Sequence, residues 1–125
     1  NTNCMNNYYG LPSGKTEVNE SFVEAAIREA KEEIGIDVQA EDLKHAITVH
    51  RYSNEDNNVA MQWVDLYFEV MKYSGEVVNA EPHMHSEVTW LDVNDLPENT
   101  IPSLAASLQA WAAGKTYFEH GYEER

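Results

Sequence analysis

Val23, Ala26, Ile27, Ala30 and Ile34 recur at i, i+3, i+4, i+7 and i+11, the spacing that lines one face of an α-helix. Ser21 stands just ahead of this run and Glu24 three positions later, a pairing that caps a helix N-terminus reciprocally. Gly35 follows the last apolar position, where a left-handed residue commonly ends a helix. The period then changes. Leu43–Ser53 and residues 59–73 are rich in β-branched and aromatic side chains, and the polar tract NEDNN at 54–58 between them predicts a long antiparallel hairpin. In its second arm Trp63, Asp65, Tyr67 and Glu69 alternate with Val64, Leu66, Phe68 and Val70, so the two sets face opposite sides of a sheet. Ser74 and Gly75 read as a turn, and residues 87–91 as a short strand carrying Trp90. A second helix is predicted over 102–113, burying Leu104, Leu108 and Trp111 and stopping at Gly114. Residues 8–18 read as short extended pieces broken by Gly10, Pro12 and Gly14. This order of elements predicts an α+β domain built as a sandwich.

Composition narrows the function classes. A chain of 125 residues, 42% apolar, forms one domain with a real core. The net charge of −14 sets 22 acids against 8 bases, a surface that repels nucleic-acid polymers. A small phosphorylated ligand could bind only with cations screening its charge. No apolar run approaches the ~20 residues that span a bilayer, and no basic-then-apolar segment opens the sequence, so no membrane partner is expected. Cys4 is the single cysteine and has no internal disulfide partner, which fits a reducing cytoplasm.

Candidate chemistry lies on the first predicted helix. Glu29, Glu32 and Glu33 have i, i+3, i+4 spacing, and their centre lies roughly 125° around the axis from the apolar stripe. Like charges so placed destabilise a helix, and they sit toward its C-terminal end, where the macrodipole also disfavours anions. Two readings of this face remain open on spacing alone. It is either a solvated acidic surface partly neutralised by Arg28 and Lys31, or a site for a hard cation such as Mg²⁺.

The surrounding residues form a longer pattern. From Gly14 the chain runs G-KTEVN-E-SFVEAAI-RE-A-K-EE-I-G-I. It resembles the Nudix box, G-x5-E-x7-R-E-U-x-E-E-x-G-U with U aliphatic. Gly14, Glu20, Arg28, Glu29, Glu32, Glu33, Gly35 and Ile36 fall on its fixed positions, and Ala30 fills the first aliphatic place. The preceding LPSG resembles the LPGG that leads into the box, and similarity extends to Trp90 and Leu96-Pro97.

The resemblance implies a Nudix fold over 1–125, a mixed β-sheet sandwiched between α-helices, with a further N-terminal strand expected before residue 1. It implies hydrolysis of a nucleoside diphosphate linked to another moiety, with Mg²⁺, or Mn²⁺ in its place. By this resemblance Glu29, Glu32 and Glu33 are the catalytic, metal-facing carboxylates, one of them serving as the base. Ser13 would offer its backbone carbonyl to metal, and a further loop acid is expected at Glu87 or Glu81, with Glu87 preferred. Glu20 and Arg28 are expected to brace the loop against the helix, with Gly14 and Gly35 supplying backbone bends. His83 and His85 lack a third ligand for zinc. Tyr9, His50 and Trp63 are candidates for substrate contact, each as apt for the core. The implied substrate is a nucleoside triphosphate or a modified one, cleaved to monophosphate and pyrophosphate by a monomer or homodimer. The alternatives are ADP-ribose, another nucleotide sugar or a dinucleotide, or a nucleotide-binding module without catalysis, against which the intact acids argue.

Overall fold

The capping pattern around residues 21–35 folds as the sequence dictates. In the computed structural model, which describes residues 16–53, 60–84 and 87–124, helix α1 spans Phe22–Ile34. Ser21 Oγ accepts from the Glu24 amide at 3.1 Å while Glu24 Oε1 accepts from the Ser21 amide at 2.8 Å. At the other end Gly35 takes φ 78°, its amide donating to Lys31 O and the Ile36 amide to Ala30 O, with Ile36 buried behind them. This double bond pattern closes off the last carbonyls of the helix. Expectations at Cys4, Tyr9, Gly10, Pro12, Ser13, Gly14, residues 54–59 and His85 lie outside the described residues.

A 3₁₀ turn at Ala40–Asp42 leads into strand β1, Leu43–Ser53, which pairs antiparallel with β2, Met61–Val70. The second arm therefore ends three residues earlier than residue 73. His45 pairs with Phe68 but Ile47 with Tyr67, so Ala46 is an extra residue in β1, a β-bulge. Beyond it Ile47, Val49 and Arg51 share one face with their cross-strand partners Tyr67, Asp65 and Trp63. Thr48, His50 and Tyr52 point to the other.

Helix α2, Pro102–Ala112, starts on a proline at its first turn and is followed by Gly114 at φ 90°. It packs on the Ile47 and Val49 face: those two side chains and Ala110 form the buried core, with Tyr67, Trp111 and Phe118 around them. Leu104 is buried as expected, whereas Leu108 and Trp111 are half-buried and the deepest position is Ser107. A polar side chain is tolerated there because Ser107 Oγ donates to Ser103 O at 2.7 Å. After α2 a short strand β3, Tyr117–His120, adds parallel to β1, giving a mixed sheet in the order β2-β1-β3. The α+β class read from the sequence is the observed one.

Two expectations are corrected. Residues 87–91 form no strand, and Trp90 is 73% exposed. Alternation alone cannot hold a strand, and among the described residues none pairs with this one. On α1 the expected stripe is only half-buried, while Ala25, on the carboxylate side, is 4% exposed. The carboxylate face is thus covered around Ala25 while Glu32 stays exposed, so it is not wholly set apart from the core.

Gly121 and Gly114 both sit at φ 90°, but a Cβ on Gly121 would run into Tyr52 O, whereas one on Gly114 would meet nothing within 4 Å among the described residues. Gly114→Ala should cost about 1 kcal/mol of unfolding free energy from backbone strain alone. Gly121→Ala should cost more, about 2–3 kcal/mol, since the β1 backbone must also move. Urea denaturation of the two variants measures the difference.

Candidate active site

Asn19 adopts φ 65°, a left-handed conformation that asparagine tolerates, and turns the chain into α1. The turn is tied to the helix by Glu20. Arg28 Nε donates to Glu20 Oε2 at 2.8 Å and Nη2 donates to Glu20 Oε1 at 3.1 Å, a two-pronged ion pair. Glu20 Oε1 also accepts from the Glu17 amide at 2.9 Å. Hydrogen bonds from Arg28, then from the Glu17 backbone, hold the Glu20 carboxyl below its ordinary range, and Glu20 in turn pushes Arg28 up. Arg28 Nη1 reaches along the helix to Glu32 Oε1 at 3.0 Å.

Glu29 stands differently from its neighbours. Its Oε2 is sealed from solvent and has no hydrogen-bond partner among the described residues, on the face where Ala25, one turn earlier, is buried. Burial raises its pKa; the Arg28 charge opposes this, and the charges of Glu20 and Glu32 add to it. A buried acceptor left unmet costs about 1–3 kcal/mol, and more when charged.

The C-terminal end of α1 is strapped down by residues 74–80. Asp37 and Ser74 exchange two backbone bonds of 3.0 Å, the Val78 amide donates to Ile34 O at 3.0 Å, and the Ala80 amide donates to Glu33 O at 3.2 Å. These bonds occupy carbonyls that a helix end leaves open. Gly75 passes close enough that a Cβ there would lie 3.4 Å from Gly35 O. The strap delivers Glu81, half-buried, one residue beyond the bond to Glu33. Glu87 is exposed, six residues farther along.

The remaining predicted residues do not converge. His50 and Trp63 lie on opposite faces of the sheet, so the sheet does not offer both to one ligand. Trp63 is covered by the Arg51 guanidinium, 4.4 Å from its ring centroid, and Arg51 is paired with Asp65 at 2.7 Å. His50 Nε2 is hydrogen-bonded at 2.7 Å to Tyr122 OH, which also accepts from Gln62 Nε2 at 2.9 Å. Sequence reasoning missed Tyr122, which lies 72 residues from its partner His50. Among the described residues no three His, Cys, Asp or Glu side chains converge on a point that could hold a metal ion. Glu32 is turned toward Arg28. Ser13, Gly14 and Tyr9 lie outside the described residues, and none of the described helices is long and apolar enough to cross a membrane.

Because Glu20 is held below its ordinary range, the folded protein binds that proton more weakly than the unfolded chain. The Glu20–Arg28 pair therefore contributes stability above the ordinary Glu range and loses it as pH falls through the lowered value. Glu20→Gln should melt below wild type at pH 7, and the gap should close toward acid pH, as melting curves across pH would record.

The comparisons with known proteins agree with this geometry. The chain is 31% identical over 89 residues to an uncharacterized Nudix hydrolase of Bacillus subtilis (strain 168), YvcI, a match covering 71% of this chain. The chain spans about half of that relative, 54% of its length. The crystal structure of a MutT NUDIX hydrolase from Burkholderia pseudomallei superposes with a TM-score of 0.71 at 26% identity, over 82% of this chain and 75% of that one. The NUDIX domain family model matches residues 3–112. With the ion pair and carboxylate face of α1 in place, the chain belongs to the NUDIX domain family.

Proposed function

We propose that this chain is a divalent-metal-dependent pyrophosphohydrolase that cleaves a nucleoside triphosphate, or a modified one, to the monophosphate and pyrophosphate. The observation that carries the reading is Glu29 Oε2, a buried carboxylate oxygen on the acidic face of α1 with no hydrogen-bond partner among the described residues. A hard cation is the partner that such an oxygen lacks, and an all-oxygen donor set suits Mg²⁺ or Mn²⁺. Glu29, Glu32 and Glu33 would hold it, joined by Ser13 through its carbonyl and by Glu81. The bond from the Ala80 amide to Glu33 O, one residue before Glu81, supports Glu81 over the sequence preference for Glu87 as that loop acid. When bound, the cation neutralises pyrophosphate charge and makes water a better nucleophile at neutral pH.

The chain's own part is to position and to move a proton. One of the helix carboxylates takes the proton of the attacking water as its oxygen bonds to phosphorus. The bond from that phosphorus to the bridging oxygen breaks, and pyrophosphate leaves. The Glu20–Arg28 pair keeps the helix and its entry turn in one register while this happens. A single cysteine accords with a cytoplasmic setting.

A panel of nucleoside triphosphates, ADP-ribose, nucleotide sugars and dinucleotides with Mg²⁺, scored by product, tests the substrate. Triphosphate turnover releasing pyrophosphate is expected; strong ADP-ribose turnover without it would sink the triphosphate reading. On the best substrate Glu33→Gln should lower kcat about 100-fold or more. A chelator should abolish turnover, and excess Mg²⁺ should restore it.

A further inference from the structure

The face of β1 turned away from α2 carries His50 and Tyr52, and the chain returns to it after β3. Gly121 passes so close to Tyr52 O that a side chain there would collide, and the 3₁₀ turn Tyr122–Glu124 follows. The Tyr122 ring centroid thereby lies 4.8 Å from that of His50 and 5.5 Å from that of Tyr52. Gln62 Nε2 donates to the Tyr122 phenol oxygen at 2.9 Å, and the phenol's own proton goes to His50 Nε2 at 2.7 Å. An imidazole that accepts at Nε2 keeps its proton on Nδ1, so this chain of bonds sets His50 as a donor at Nδ1. In register, His50 is flanked by Val64 on β2 and by Glu119 on β3. Val64 is 57% exposed and Tyr117 54%, so the sheet is open to solvent beside the rings. Tyr117 OH donates to Glu119 Oε2 at 2.7 Å, which holds that carboxylate along the strand.

Three rings with a donor and an acceptor beside them suit a planar heterocycle, which stacks on aromatic groups and bonds through its edge. Glu119, on a chain of net charge −14, repels phosphate, so the uncharged end of a nucleotide is the part that fits this face. We infer that this face binds the base of the nucleotide, and that His50 and Glu119 select bases with a ring N–H beside a carbonyl. His50 Nδ1–H meets the carbonyl and the Glu119 carboxylate meets the ring N–H. A base with an amino group beside an unprotonated ring nitrogen sets donor against donor and acceptor against acceptor. The inference rests on the pyrophosphohydrolase reading, to whose nucleotide it gives a site for the base. Tyr122 is a positioning residue here, acting through His50.

Inosine and adenosine 5′-monophosphates differ only at that edge, and titrating each into the metal-free protein at pH 8 tests the inference. Affinity is read by calorimetry and the His50 ring by ¹⁵N NMR. The inosine nucleotide should bind about tenfold more tightly and shift the His50 ring signals. His50→Ala and Glu119→Ala should each remove the preference. Tyr122→Phe, which keeps the ring, should lose most of the inosine affinity and leave adenosine binding as it was, a split that a merely structural role would not give. Equal affinity in wild type, or a preference that survives both alanine changes, would overturn the inference. A wild type that hydrolyses triphosphates while neither nucleotide moves the His50 signals would overturn it too, and leave the hydrolase reading standing. A wild type that hydrolyses nothing in the substrate panel yet prefers the inosine nucleotide through His50 would sink the hydrolase reading and support this binding face.

Discussion

A carboxylate oxygen buried with no hydrogen-bond partner among the described residues is the constraint around which the account of this fold turns. Glu29 sits on a helix whose both ends are pinned, by the Ser21 and Glu24 cap at one and by Gly35 and the strap at the other. The helix cannot rotate to offer Glu29 to water without breaking those bonds. Nor does Arg28 relieve it, because the guanidinium is already committed to Glu20 and Glu32. The outcome is a folded state that tolerates a destabilising group at one point, the pattern expected of a functional site.

The three glutamates of α1 are thus not equivalent. Glu32 is exposed and tied to Arg28, Glu33 lends its carbonyl to the strap, and Glu29 has a sealed oxygen with no partner among the described residues. Sequence spacing gave them a common face; the ion-pair network divides their roles. Glu20 matters here for a similar reason. By holding Arg28 through two bonds it fixes where that charge stands beside Glu29, which feels it.

How much of this was legible in the sequence depends on how local each feature is. The bounds of α1 could be read because Ser21, Glu24 and Gly35 act within a few residues of the helix they terminate. The hairpin of β1 and β2 was legible for the same reason. The bulge at Ala46 was not: one inserted residue reverses which side chains share a face, and nothing in the alternation marks it. β3 is four residues long and pairs with a strand that lies more than sixty residues away, so no local pattern announced it. Between Glu81 and Glu87 the sequence favoured Glu87, through a strand expected at 87–91 that does not form. What separates them is the backbone bonding of Val78 and Ala80 to helix carbonyls, which leaves no trace in side-chain identity. The burial of Ala25 was hidden likewise, since a small residue beside glutamates reads as solvent-facing until something covers it.

The central claim is that Glu29 is a strained acceptor that a cation relieves, and melting temperature with and without Mg²⁺ tests it most directly. Burial raises the Glu29 pKa, so its charge opposes folding at neutral pH. Metal-free Glu29→Gln should therefore melt at or above wild type, and Mg²⁺ should raise the melting temperature of wild type but not of the variant. A metal-free Glu29→Gln that melts well below wild type, or a variant stabilised by Mg²⁺ as strongly as wild type, would contradict the account.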